Sequence, residues 1–169
     1  SIPGHLISSS NSQILREGEP VGSFFGWIFD GVYQTGDDFS AEPNKKPGDV
    51  KYRDITGRDA EGNLTGIPDG VVDSDDRTII GNPNPDFTFG FNNDFRYKNF
   101  DLNIFFQGSV GNDIINYTRM ELDAMMGKAN ATTDALKRWT PTNTNTNVPR
   151  ASATHSYQMS SRWVEDGTY

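Results

Sequence analysis

Four aspartates, Asp54, Asp69, Asp73 and Asp76, are the residues whose type and spacing best suit a chemical task, and that task is holding a cation. Calcium takes roughly six to eight oxygen ligands, and the loops that bind it set carboxylates at short intervals around a glycine at a sharp turn. Residues 69–76 (DGVVDSDD) match the second half of such a loop. Asp69 would give a carboxylate, Gly70 the turn and Val71 its carbonyl oxygen. Val72 would point into the core, and Asp73 and Asp76 would complete the shell. Asp54 fits the start of the loop, but residues 58–68 then intervene, so the ring closes only if that insertion bulges outward. The competing reading is a solvated acidic turn in which Asp and Gly act only as turn formers. Mutual repulsion among four close carboxylates favours a bound cation over that alternative.

Little else in the chain suits catalysis. A glycosidase needs two carboxylates facing each other across a cleft, and no such pair can be placed from the sequence, so the chain reads as a non-enzyme. His5 and His155 are far apart in polar stretches and read as solvated. Trp27, Trp139 and Trp163 could stack on sugar rings, although packing the loops together is the better reading of each. The triplets at Asn63, Asn116 and Asn130 fit the N-glycosylation pattern, which such short sequences meet by chance. With no cysteine, the chain has no disulfides, no thiolate chemistry and no Cys-ligated zinc. A formal net charge of -8 argues against nucleic acid as a partner, because phosphate binding needs a basic surface.

The elements that must position these groups read as β structure joined by long irregular segments. The chain has 169 residues with 17 glycines and 9 prolines, and only 34% of it is hydrophobic, yet 12% is aromatic. Apolar mass is therefore concentrated in large rings. Residues 16–33 crowd such rings among glycines and predict a short, partly buried strand with bends. Residues 87–97 alternate: Phe87, Phe89, Phe91, Phe95 and Tyr97 share one face, with Asn93 the polar interruption. Lys98 and Asn99 make a two-residue turn, with Asn suited to the positive φ of tight hairpins. Residues 100–110 alternate again, Phe100, Leu102, Ile104, Phe106 and Val110 facing one way and Phe105 breaking the pattern. A helix is expected towards 120–126 and a second, Thr-capped one over 133–139, stopped by Pro141. No apolar run is long enough for a transmembrane helix. Both ends read as cut from a longer protein.

Strands of about eleven residues suit a tilted crossing of a bilayer, and one apolar face opposite one polar face is the transmembrane-barrel pattern. Tyr97 and Phe100 beside the turn would sit in an interfacial aromatic girdle. A soluble sandwich gives the same alternation. However, the face is unusually rich in Phe, and the chain has few other segments to form a covering sheet. The fold class is therefore all-β, an excerpt of a large transmembrane antiparallel β-barrel: one hairpin plus two long extracellular loops with short helices. The division is 1–85 outward loop, 86–111 transmembrane hairpin and 112–169 outward loop leading into the next strand.

Several blocks, in order, carry a resemblance. They are residues 16–34 (REGEPVGSFFGWIFDGVYQ), 47–54 (PGDVKYRD), 69–91 (DGVVDSDDRTIIGNPNPDFTFGF), 100–111 (FDLNIFFQGSVG), 138–141 (RWTP) and 161–169 (SRWVEDGTY). Together they resemble the SusC/RagA family of TonB-linked outer-membrane transporters of bacteria. The resemblance implies a plugged barrel of about 22 strands, energy from the TonB system through parts outside this chain, and a SusD-like surface lipoprotein as partner. It also implies import of glycan or peptide fragments, and localisation in the cell outer membrane. Thr56 stands where relatives carry Asn or Asp, a departure within the acidic loop. The rival expectation is a soluble, calcium-stabilised β-sandwich that binds carbohydrate as a lectin or adhesin does. The two part on whether the faces bearing Phe89 and Ile104 meet lipid or pack on a second sheet of the same chain.

Overall fold

The structure, a computed structural model, describes residues 5–6, 12–125, 130–152 and 158–169. Its longest elements are the two strands of the hairpin. In chain order the strands are β1 (His5–Leu6), β2 (Ile14–Leu15), β3 (Phe24–Gly26), β4 (Phe29–Val32), β5 (Val50–Tyr52), β6 (Thr78–Gly81), β7 (Phe87–Tyr97), β8 (Phe100–Val110), β9 (Asp113–Ile115) and β10 (Val164–Asp166). One helix, α1 (Tyr117–Asp123), and short 3-10 turns at Ser74–Asp76, Thr133–Lys137 and Ser161–Trp163 complete the described elements. No helix among the described residues is long and apolar enough to cross a membrane.

Strands β7 and β8 pair antiparallel over their full length, from Phe87↔Val110 through Phe91↔Phe106 to Tyr97↔Phe100. Side chains in a strand alternate between faces, so this register puts every Phe of the apolar set on one side. Phe105 falls on the other side, opposite Asn92. The turn is the expected Lys98-Asn99, but the positive φ falls on Lys98 (φ 55) rather than on Asn99.

The polar face carries its own cross-strand ladder: the Asn103 side-chain amide donates to Asn92 Oδ1 (2.9 Å) and to Asp94 Oδ1 (2.7 Å). The apolar face has no cover from this polypeptide among the described residues. Phe91 and Phe106 are each 58% exposed, and Phe87, Phe89, Phe95 and Phe100 are similarly open. Burying one such side chain is worth about 1.5–3 kcal/mol. A sheet that leaves six of them bare has that stabilisation supplied by something else. The condition set for the soluble sandwich, a second sheet of this chain on Phe89 and Ile104, is not met.

Rings outside the hairpin behave in the opposite way. Trp163 and Phe25 are 1% exposed, and Ile14, Tyr33, Tyr52, Trp139 and Met159 are also buried. They form a core that binds the outward segments to one another. Trp27 N–H donates to the Met159 carbonyl (3.0 Å), and Ser161 N–H to the Trp27 carbonyl (3.0 Å). Trp139 Nε1 donates to Gln34 Oε1 (2.9 Å), and Arg150 Nε to the buried Asp49 carboxylate (2.5 Å). The stretch after the hairpin thus packs onto the stretch before it as one body.

Gly48 sits at that seam with φ +89, and a Cβ there would lie 2.6 Å from the Trp139 ring. Gly48→Val joins a disfavoured φ to this overlap. It is expected to destabilise the seam by about 2–3 kcal/mol, read as faster protease cutting within 139–150 of the intact protein. Unchanged cutting would contradict the packing described.

Beyond β8 the chain begins a third neighbour. Strand β10 pairs with β9 through Asp166↔Asp113, Glu165↔Ile114 and Val164↔Ile115. Ser109 and Tyr169 then exchange backbone hydrogen bonds at 3.0 Å each way. Residues 164–169 therefore run antiparallel to β9 and reach the end of β8 at Tyr169, the direction that the next strand of an up-and-down barrel takes.

The helical expectations shift a little. Helix α1 starts three residues before the expected stretch, with Asn116 Oδ1 capping Arg119 N–H (2.8 Å). Residue 126 lies outside the described residues. The second segment is a 3-10 turn, and Thr132 at its N-cap makes no capping bond. Its hydroxyl instead donates to the Asp123 carboxylate (2.6 Å).

Candidate functional site: an acidic loop above an uncovered aromatic face

The two halves of the acidic loop meet, Gly70 N–H donating to Asp54, because the insertion between them folds outward. Gly57 N–H donates to the Ile67 carbonyl (2.8 Å), Thr65 N–H to the Gly57 carbonyl (3.0 Å), and Arg58 pairs with Leu64. Residues 58–68 form a small hairpin whose base brings Gly57 against Asp69, so closely that a Cβ on Gly57 would collide with the Asp69 side chain. Gly70, at φ +87, makes the sharp bend that only glycine takes readily.

Each aspartate then has a definite backbone role. Asp54 Oδ2 accepts from Gly70 N–H (2.7 Å), Asp69 Oδ1 from Val71 N–H (3.0 Å), and Asp73 Oδ1 from Asp75 N–H (2.7 Å). Asp76 is fully buried. Its Oδ1 accepts from Ile55 N–H (2.8 Å) and Thr56 N–H (3.1 Å), and its Oδ2 from Asp73 N–H (2.8 Å). Asp73 and Asp76 are thus a reciprocal capping box on the Ser74–Asp76 turn. Asp54 Oδ1 is buried and has no hydrogen-bond partner. Among the described residues no three acidic or imidazole side chains converge as a metal site would require. Accepting one N–H leaves a carboxylate oxygen a second lone pair, so the donor chemistry suits a cation, whereas the present convergence of Asp69 and Asp73 does not.

Sequence reasoning missed the pairing of Arg58 with Asp75, whose second contact, Nη2 to Oδ1, is 2.6 Å. That pairing holds the guanidinium pKa above its usual value. Hydrogen bonds from Asn63, backbone first, hold the Asp59 carboxyl below the ordinary carboxylate range. The Asn116 side chain, followed by Arg119, does the same for Glu165.

The other candidates resolve as packing. Trp139 and Trp163 are buried between the outward segments and have no face for a sugar. Trp27 is half-buried, with the Arg77 guanidinium 4.9 Å over its ring, Tyr52 5.9 Å away and its Nε1 donating to the Asp73 carbonyl. Asn63 is bonded within its own hairpin to Asp59, and Asn116 reaches across to Glu165 on β10. His155 and the side chain of His5 lie outside the described residues.

Two full-length crossing strands, a bared aromatic face, a polar opposite face and a packed body of loops at one end define a segment of a membrane-spanning β-barrel, not itself a closed barrel. No protein-family model matches the chain. It is 47% identical, over its whole length, to TonB-dependent receptor P3 of Formosa agariphila. It is 31% identical over 97% of its length to TonB-dependent receptor P26 of the same organism. The chain spans 16% of the length of each of these relatives. Among solved structures it superposes on the RagAB peptide transporter with a TM-score of 0.69 at 21% identity, covering 99% of this chain and 16% of that one. The open-open state of the RagAB peptide importer gives 0.65 at 22%, with the same coverages. The chain belongs to the TonB-dependent receptors, outer-membrane barrel proteins, and has the fold of the matching stretch of the RagAB transporter.

Proposed function

We propose that the protein imports oligosaccharide or peptide fragments across the outer membrane, driven through TonB, with a SusD-like lipoprotein on its outer side. In this reading the chain supplies wall and rim and makes or breaks no bonds. The observation that carries the reading is the uncovered Phe face of β7 and β8 beneath a single body of loops. The names of the relatives agree with it: two are TonB-dependent receptors, and the structural neighbour is a peptide transporter. Deleting the full-length gene is expected to abolish growth on at least one oligosaccharide or peptide mixture as sole nutrient, with growth on its monomers intact. Normal uptake of every such fragment in the deletion strain would overturn import.

We also propose that the acidic loop takes Ca2+ on Asp54, Asp69, Asp73, Asp76 and the Val71 carbonyl. The buried, unpartnered Asp54 Oδ1 supports this, as does the outward fold of the insertion that lets the two halves meet. The exposed Asp69 and Asp73 side chains would turn inward to ligate. Chelation is expected to raise protease cutting within 54–76, and added Ca2+ to reverse it. An identical digestion pattern with and without chelator would count against the ion.

A further inference from the structure

The 58–68 hairpin is built with more order than a solvated loop needs, and its exposed side chains are of the wrong kind for water alone. Asp59 Oδ1 accepts from Asn63 N–H (2.7 Å) and Glu61 N–H (3.1 Å), and Asp59 Oδ2 from the Asn63 amide (3.1 Å). Arg58 ties the hairpin's base to Asp75 and its tip to the Gly62 carbonyl (2.7 Å). Every residue from 58 to 71 is nevertheless exposed. Within eight residues of sequence the chain presents Leu64, Ile67 (68% exposed) and Val71 (51%) to solvent. Along the same stretch the sequence sets Asp59, Glu61, Asp69, Asp73 and Asp75, with Arg58 the one basic residue of 58–75. Exposed aliphatic side chains interspersed with charged ones suit a protein contact, which joins apolar and polar groups, and a pre-ordered hairpin loses little freedom on docking.

We propose that Leu64, Ile67 and Val71 form a docking point for the surface lipoprotein, whose facing patch joins an apolar dent to Lys and Arg side chains. This rests on the lipoprotein partnership proposed above and names the part of the receptor that makes the contact. The partner's basic character follows from these acidic residues. Such a pairing accelerates encounter and weakens with salt, because exposed charges are screened over about 8 Å at physiological ionic strength.

The test uses the intact receptor in detergent and a SusD-like lipoprotein purified from the same organism, with affinity measured at several salt concentrations. Leu64→Glu with Ile67→Glu is expected to weaken binding at least tenfold. Glu61→Lys is expected to weaken it at low salt and flatten its salt dependence. Val21→Glu, at an equally exposed aliphatic in a different segment (69%), is expected to leave affinity unchanged. Each variant is checked for its folded, heat-modifiable barrel. Wild-type affinity in a folded Leu64/Ile67 variant would overturn the docking point alone. A wild-type receptor that does not bind the lipoprotein at all would overturn the partnership and the docking point together.

Discussion

Replacing Phe91 and Phe106 together by Arg in the intact receptor is expected to remove almost all folded protein from the outer membrane. The two rings face each other at mid-hairpin on the uncovered side. A basic side chain on the lipid face costs about 2–4 kcal/mol at the bilayer midplane. Two such charges amount to a large share of a typical folding free energy of about 5–15 kcal/mol. Gln107→Arg, the neighbouring position on the polar face opposite Gly90, is expected to assemble at near wild-type level. Loss of folding alone would not separate lipid from a soluble core, because both exclude Arg. Single tryptophans do separate them. Phe91→Trp in vesicles of brominated lipid is expected to lose most of its fluorescence, and Asn92→Trp, on the polar face, to keep it. Equal quenching at both positions, or normal assembly of the double Arg variant, would remove the basis for a membrane wall.

The limits of the hairpin were legible because its physics is local. Strict alternation fixes which residues share a face, and the run of Phe marks that face as one that water does not meet. The conformation of the turn was less legible. Asn99 has the chemistry for positive φ, yet Lys98 adopts it, since the twist of the two strands sets the turn's geometry along with its composition. Phe105 broke the expected pattern, and the register explains its position without a slip: it stands opposite Asn92, and a Cβ added at Gly90 would lie 3.7 Å from its ring.

The packing of the outward segments could not be read from the sequence. Trp139 with Gln34, and Ser12 with Tyr117, meet across 105 residues, and no periodicity encodes such contacts. In the acidic loop, the sequence set only a condition, that residues 58–68 bulge outward, and they do form a separate exposed hairpin. The capping box is written in the sequence too, as Asp73 and Asp76 at the required spacing, but the same two residues at the same spacing also suit a cation loop, so the pattern alone does not choose between them.

That capping role makes Asp76 the residue of the loop whose loss should have the largest effect. Asp76→Ala would leave the N–H groups of Ile55, Thr56 and Asp73 without their acceptor where the side chain is fully buried. An unsatisfied buried donor costs about 1–3 kcal/mol, so local opening of 54–76 should become easier by about 3 kcal/mol or more. The readout is faster hydrogen exchange and protease cutting confined to that segment of the intact receptor. Asp76→Asn keeps one accepting oxygen for Ile55 and Thr56 but turns a donor towards Asp73 N–H, so an intermediate effect is expected. If Asp76 served only as a ligand, chelated wild type and Asp76→Ala would exchange alike. As a backbone cap it makes the variant looser than chelated wild type, with Ca2+ present or absent, and protection in Asp76→Ala equal to that of chelated wild type would mean that the three N–H bonds contribute nothing.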